Sequence, residues 1–394
     1  MSEEERKMKK IISSVMLGLL LIGTLMFAFN IQSAKTGSTI YIKGDGSIYP
    51  PLAPISTIDN ITYTLTNNVY EGIVIERDNI VFDGGGYMVQ GGAIRLSNRA
   101  NITIKNTYIR DSDYGIYLEY SSNCKIFENS LANNWWGIYL ISHCSNNTIF
   151  QNSIMATGYN RAAIYLLGNC YDNLIFQNIV SVDVGDGIVV GGGTYWSCLD
   201  NKIYENNITA KSGTGINVGS QRITISGNII ANSKSGIDLD FSDIIFGNNI
   251  TRNTYGIRME GYSSSPLQNN IISGNNITKN TYGIYIEFAT YNKFYHNNFV
   301  NNTQQVYSDS SPNVWDDGYP SGGNYWSDYT GVDANGDGIG DTAYVIDENN
   351  KDRYPLMKVV PEFPSIIILP LFVLATLIVT VPLKKKEETK PQIP

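Results

Sequence analysis

Histidine is almost absent from this chain: His143 and His296 are the two in 394 residues. So little imidazole leaves scant material for a histidine-based triad or a histidine-ligated copper site. There is no Gly-x-Ser-x-Gly elbow, no phosphate-binding P-loop and no His-Glu-x-x-His pair, which removes the usual serine-hydrolase, nucleotide-hydrolase and zinc-protease signatures. Basic residues are outnumbered, 28 Lys and Arg against 36 Asp and Glu. Setting aside the charged ends (eight basic, five acidic) leaves 20 against 31, a net charge of −11. Such a body disfavours nucleic acid and other polyanions and suits cations, neutral sugars or plain solubility. Helical periodicity is also missing between the two apolar ends, which argues against a helical solenoid.

What is present is a repeat. A small residue, Ile, a variable residue and another apolar one recur from Gly72, Ala93, Gly115, Gly137, Ala163, Gly187, Gly215, Gly236, Gly256 and Gly283. The gaps run from 20 to 28 residues with most near 22. A fixed period with tolerated insertions marks stacked units that cannot bury an apolar face alone. Within Gly115-Ile116-Tyr117-Leu118, Ile116 and Leu118 share one face and Tyr117 the other, the alternation of a strand. A second strand follows, as in Lys125-Ile126-Phe127 and Thr148-Ile149-Phe150.

Asn stands three residues after the inward Ile or Phe in eight coils: Asn129, Asn152, Asn178, Asn206, Asn228, Asn248, Asn275 and Asn297. An earlier column holds Asn147, Asn173, Asn201 and Asn292. Asn suits such turns because it tolerates left-handed backbone and its amides can stack along the axis. The reading is all-β: a single-stranded right-handed parallel β-helix of about ten coils over residues 35–310, a rod roughly 50 Å long at ~4.8 Å per coil.

The Asn-Thr-Tyr-Gly-Ile coils at 253–257 and 280–284 resemble the NosD-type repeats of the pectate-lyase-like β-helix superfamily. The resemblance covers about residues 38–310 and implies the fold. That superfamily holds lyases, hydrolases, epimerases and non-catalytic surface proteins, so it implies no single activity.

The ends have their own chemistry. Arg6, Lys7, Lys9 and Lys10 precede an uncharged, largely apolar run at 11–31, either a signal peptide or an N-terminal anchor within residues 1–34. Residues 366–383 are apolar and run into Lys384-Lys385-Lys386, which predicts a transmembrane anchor with a cytoplasmic basic tail at 384–394. Pro361-Glu362-Phe363, in the linker 359–365, resembles the sorting tail of archaeal surface proteins. Both ends then place the solenoid on the outer face of the cell membrane. Seven Asn-x-Ser/Thr sequons (Asn60, Asn101, Asn146, Asn207, Asn249, Asn276 and Asn301) agree with export.

Cys144, Cys170 and Cys198 each stand five residues before an inward Ile, so they stack in one column, with Cys124 in the neighbouring Asn column. They read as small buried thiols, as a disulfide between adjacent coils, or more distantly as a soft-metal site. From Trp315 the repeat stops. Residues 311–358 read as a C-terminal cap hiding the last coil's strand edges. In that cap Asp333, Asn335, Asp337, the Ile339 carbonyl and Asp341 match positions 1, 3, 5, 7 and 9 of a Ca²⁺ loop. Position 12 is Tyr344 rather than Glu, so the loop is not an EF-hand, and another carboxylate or water must close the shell.

Outward positions of the first strand form a stripe that includes Tyr117, Tyr139, Tyr165 and Tyr285, read as carbohydrate-contacting rings or as an aromatic ladder. Farther along, Asp238, Asp240, Arg258 and Glu260 form a charged cluster, with Glu287 extending the row. Carboxylates about 5 Å apart have the separation used by retaining glycosidases, and the same group could form an ordinary salt-bridged edge. The leading expectation is a non-catalytic, surface-anchored protein that either binds carbohydrate, a polysaccharide or cell-envelope glycan, or serves as a structural part of the envelope, with structural Ca²⁺ and no nucleic-acid partner. The alternative is a polysaccharide lyase or glycoside hydrolase using the charged cluster.

Overall fold

The computed structural model describes residues 38–191, 197–240, 242–309 and 311–361. The expected leader or anchor, most of the sorting motif, the C-terminal span and the basic tail lie outside the described residues. Among the described residues no helix is long and apolar enough to cross a membrane.

The chain winds as a right-handed parallel β-solenoid of about eleven turns, one more than the tetrads suggested. Its strands align in three columns rather than two. The first holds the tetrads, from Ile73–Ile75 through Tyr114–Glu119 and Tyr255–Glu260 to Gln304–Ser308. The second runs from Ile55–Ser56 to Lys293–Tyr295 as a 12-stranded sheet. The third contains short strands such as Ser130–Ala132, Asn249–Thr251 and Asn276–Thr278, between the second strand and the next tetrad. Sequence reading missed this column because Asn follows its inward residue in only some coils, whereas Asn closes the equally short second strand in eight. Its inward residues (Leu131, Ile154, Val180, Ile208) nonetheless stay in register. In two coils the corner into the first column loosens. Ser153–Leu167 and Ile179–Gly191 each run through it as one strand, with register shifts around Tyr159.

Each coil stacks like on like. Ile116, Ile138, Ile164 and Ile188 pair in register and are fully buried. Burying an aliphatic side chain stabilises by roughly 1.5–3 kcal/mol before chain entropy is subtracted. The small residue before each Ile has a steric cause: a Cβ at Gly137 or Gly256 would collide with the carbonyl of Ala163 or Gly283 in the next coil.

Asparagine ladders hold the corners. The Asn152 backbone N–H and Nδ2 both donate to Asn178 Oδ1 at 3.0 Å, and Nδ2 also donates back to the Ile126 carbonyl at 2.9 Å. The same geometry repeats from Asn129 through Asn297 to Asn324. The left-handed backbone, however, falls on the residue before each Asn: Glu128, Gln151, Gln177, Glu205 and His296 all have φ near +55°. Asn is therefore selected for its amide, which supplies donor and acceptor together. A third ladder, Asn253 to Asn280 to Asn302, guards the corner missed from sequence.

The four cysteines are buried and free. Cys170 N–H points at Cys198 Sγ, 3.4 Å away, which fixes the column of three. Hydrogen bonding to Cys144 and Cys198, with burial, pushes the Cys170 thiol well up, and burial pushes Cys124 up to about 11. All four are packing groups in this state.

The solenoid closes on an aromatic cap. Trp315 stacks on Phe294 with ring centroids 4.2 Å apart, and Trp326 stacks on Phe299 at 4.3 Å. Asp352 ends the first ladder, accepting from Asn324 N–H at 2.7 Å and Trp326 Nε1–H at 2.9 Å.

Candidate functional site on the outward face of the first strand column

Parallel in-register stacking sets the site. Residues at equivalent places in successive coils must lie side by side, so the outward face of the first column has two long rows. One row reads Arg95, Tyr117, Tyr139, Tyr165 and Val189. Farther along it reads Asn217, Asp238, Arg258, Tyr285 and Tyr307. The other row, three residues earlier in each coil, places Tyr114 beside Trp136 and Tyr255 beside Tyr282.

The aromatic half is a mutual stack. Tyr114 and Trp136 lie 4.8 Å apart and nearly parallel, and Tyr139 lies 5.4 Å from Tyr114 and 5.3 Å from Tyr165. Tyr139 is 7% exposed, and burial raises its hydroxyl above the usual range. Ring faces are largely taken by neighbouring rings, and Tyr117 and Tyr165 on either side of Tyr139 keep part of their surface in solvent. The Arg95 guanidinium covers Tyr114 and Tyr117, and that of Arg161 covers Trp136 at 5.1 Å. Trp135, half exposed, meets Trp136 edge-on. Tyr114, Trp135, Trp136 and Arg161 escaped sequence reading, although for Tyr114 and Trp136 the column two residues before each inward Ile carried the signal.

The charged half is built around Asp238. Its carboxylate takes Arg258 Nε at 3.2 Å and Nη2 at 2.9 Å, the Thr214 hydroxyl at 2.9 Å and the Ser235 hydroxyl. Arg258 Nη1 donates to Glu260 at 3.0 Å. Asp238 is thus occupied on both oxygens and holds Arg258 in place. Glu260 pairs in register with Glu287, whose carboxylate accepts the Tyr285 hydroxyl at 2.6 Å. Tyr285 itself stacks on Tyr307 at 4.5 Å.

Asp240 differs from its neighbours. Its coil is short: five residues separate Asp238 from Asp243, against six from Asn217 to Ile223. The Asp240 backbone consequently takes the corner place that Cys170 and Leu267 hold in other coils, with its carbonyl accepting Asn270 Nδ2 at 3.0 Å. Burial and then the Asp238 charge raise the Asp240 carboxyl to about 6. A group titrating there can give and take protons under mildly acid conditions.

Neither histidine joins this face. His143 stacks on Tyr120, and His296 Nε2 lies 2.9 Å from the Ser321 carbonyl in the cap. In the Ca²⁺-type loop, Asp333 accepts the amides of Gly336 and Gly338, and Asp341 accepts that of Ala334. Asp337 accepts the amide of Ile339 and the side-chain amide of Asn335. Among the described residues no three acidic, histidine or cysteine side chains converge on a metal position.

Comparison with known proteins agrees with the architecture. Residues 182–331 match the family model described as periplasmic copper-binding protein (NosD), and residues 36–203 match the right-handed β-helix region model. Together the two matches make residues 36–331 similar to NosD-like right-handed β-helix repeat proteins. It is 45% identical over 84 residues to a probable ABC transporter binding protein NosD of Stutzerimonas stutzeri, covering 20% of this chain and 18% of that one. The Pseudomonas aeruginosa counterpart is 43% identical over 81 residues, covering 19% and 18%. Each match therefore spans less than a fifth of the relative. Among solved structures, the mannuronan C-5 epimerase AlgE6 A-module of Azotobacter vinelandii has a TM-score of 0.46 at 15% identity, covering 64% of this chain and 87% of that one. The catalytic domain of a GH87 α-1,3-glucanase also scores 0.46, at 14% identity, covering 67% and 63%.

Proposed function

We propose that this protein is a carbohydrate-binding β-helix of the cell envelope, and that glycan lies against the outward face of its first strand column. The observation that carries this reading is the concentration of tyrosine side chains and Trp135 along one face of a parallel, in-register sheet. Because the rings cover one another, contact runs through hydroxyls and edges, with Trp135, half exposed although Arg161 lies 5.9 Å over its ring, as the most open aromatic side chain of the stack. The outer location rests on the basic flanks of the apolar ends, and membrane attachment through residues 366–383 belongs to the same proposal. Affinity electrophoresis of the purified protein in gels containing neutral polysaccharides is the test. Retardation that weakens in Trp135→Ala and Tyr117→Phe is expected, and unchanged mobility in every polymer would sink the reading.

Asp240 favours a second reading, a polysaccharide lyase or hydrolase. It stands beside a carboxylate–guanidinium pair with a titration point suited to acid–base work. Here Asp238 and Arg258 position the site and Asp240 moves the proton. Depolymerisation of neutral and uronic-acid polymers that disappears in Asp240→Asn, with the fold intact, decides for this reading. The Asp333–Asp341 loop, in both readings, is where Ca²⁺ would bind and stiffen the cap, drawing together Asp333, Asp337 and Asp341, which otherwise accept loop amides. Each of its carboxylates can accept an amide and still offer a lone pair to a hard cation.

A further inference from the structure

The second asparagine ladder has one irregular rung. It runs from Asn147 through Asn173 to Asn201, each amide N–H donating to the next side-chain oxygen at 2.9–3.0 Å. After Ile223 it resumes at Asp243 and continues through Asn270, Asn292 and Asn313 to Asn350. Asp243 behaves as an asparagine on one side: its Oδ1 accepts the Ile223 amide at 2.8 Å, and its own amide donates to Asn270 Oδ1 at 2.9 Å. The other oxygen, Oδ2, is fully buried and has no donor near it.

The neighbouring rungs show what that place requires. Asn201 Nδ2 donates to the Cys170 carbonyl at 2.9 Å, and Asn270 Nδ2 donates to the Asp240 carbonyl and to Asn292 Oδ1 at 3.0 Å. Every rung thus points a donor at oxygens. By the same repeat, Asp243 Oδ2 takes the place from which these amides donate to a carbonyl of the coil before and an Oδ1 of the coil after, positions held here by Ser220 and Asn270. A carboxylate oxygen among acceptors is repelled, whereas a carboxylic O–H supplies the missing donor. Asp352 supplies the contrast. It stands at a ladder's end among donors, with Asn324 N–H, Trp326 Nε1–H and Tyr354 N–H at 2.7–3.0 Å.

We infer that Asp243 is held as a neutral carboxylic acid whose Oδ2–H replaces the asparagine amide in the ladder, making this rung a proton-dependent latch between adjacent coils. Burial pushes its titration well above the ordinary carboxylate range, and the charge of Asp240 adds to that. Among the described residues, Asp240 is the titratable group acting on it from its own turn. In the coil before, Arg222 points outward to Asp200, and the coil after presents uncharged Asn270.

The sign follows from linkage. A free aspartate titrates near ~4, so above that pH the unfolded chain releases a proton that the folded chain retains, and stability falls as pH rises until the folded group itself ionises. Asp240 contributes a limb of the same sign that ends near 6. The test uses the full chain, with urea midpoints from pH 4 to 9 for wild type, Asp243→Asn, Asp240→Asn and the double variant. Asp243→Asn should match wild type near pH 4 and move to progressively higher midpoints above it. In the Asp240→Asn background the decline should continue beyond pH 6, and in the double variant only the limb of buried Asp352, which ends near 6, should remain. Infrared difference spectra supply a readout independent of stability: a protonated carboxyl band at pH 7, absent from Asp243→Asn. An Asp243→Asn variant less stable than wild type at pH 8, or the lack of that band, would overturn the inference.

Discussion

The two halves of the outward face occupy the same register on the same sheet and satisfy themselves by opposite means. Between Tyr114 and Tyr165 the rings cover one another, so buried aromatic surface contributes most of the local stability. Between Asp238 and Glu287 charge neutralises charge, and Arg258 is shared by Asp238 and Glu260. Parallel stacking makes both outcomes inevitable, since any residue repeated in the period lies about one strand spacing from its counterpart. What remains for a ligand is what stacking leaves over: Trp135 and the tyrosine edges on one side, Asp240 on the other.

The contrast can be broken at its centre. Trp136→Ala should have the largest effect, about 3 kcal/mol lost, read as a lower urea midpoint with unchanged slope. A loss no larger than that of an exposed residue would mean the stack does not hold the coils together. Asp238→Asn comes next, at about 2 kcal/mol, because it removes a bidentate acceptor and leaves Arg258 short of a partner. Added salt should shrink the Asp238→Asn deficit and leave the Trp136→Ala deficit intact.

Smaller effects sharpen the difference. Asp240→Asn should flatten the decline in stability between about pH 4 and pH 6, since that carboxyl is raised and disfavours the folded state once the unfolded chain has ionised. A slope unchanged from wild type would mean that Asp240 ionises as freely in the folded chain as in the unfolded one. Tyr285→Phe removes the 2.6 Å hydrogen bond to Glu287 and should cost about 1 kcal/mol or less. The smallest change is expected outside this face. Ca²⁺ should raise the melting temperature by a few degrees, and Asp333→Asn with Asp337→Asn should abolish the gain.

Much of the fold was legible because its signals are periodic. The inward Ile columns, the ladder through Asn129 and Asn297, and the cysteine column all follow from counting residues between repeats. The third strand column was not, because Ser130–Ala132 and its equivalents lack the regular Asn that marks the equally short second strand. The left-handed corners were assigned one residue late, to Asn152 rather than Gln151, since Asn suits that conformation in general but here serves as an amide rung. For the site, the sequence brought Asp238, Arg258 and Glu260 onto one stripe. It carried no hint that Asp238 is saturated by Thr214 and Ser235, which lie in the preceding coil and three residues back.

By itself, then, the sequence determined the repeat, the inward and outward sense of each strand and the identity of neighbours across coils, because a period maps directly onto a stack. Tertiary structure alone decided how the leftover capacity is distributed. A turn one residue shorter moved Asp240 toward a corner, and a ladder of amides gave Asp243 a place where a donor is needed. Ionisation depends on the dielectric and the hydrogen-bond partners around a carboxyl, and those are set only when successive coils close on one another.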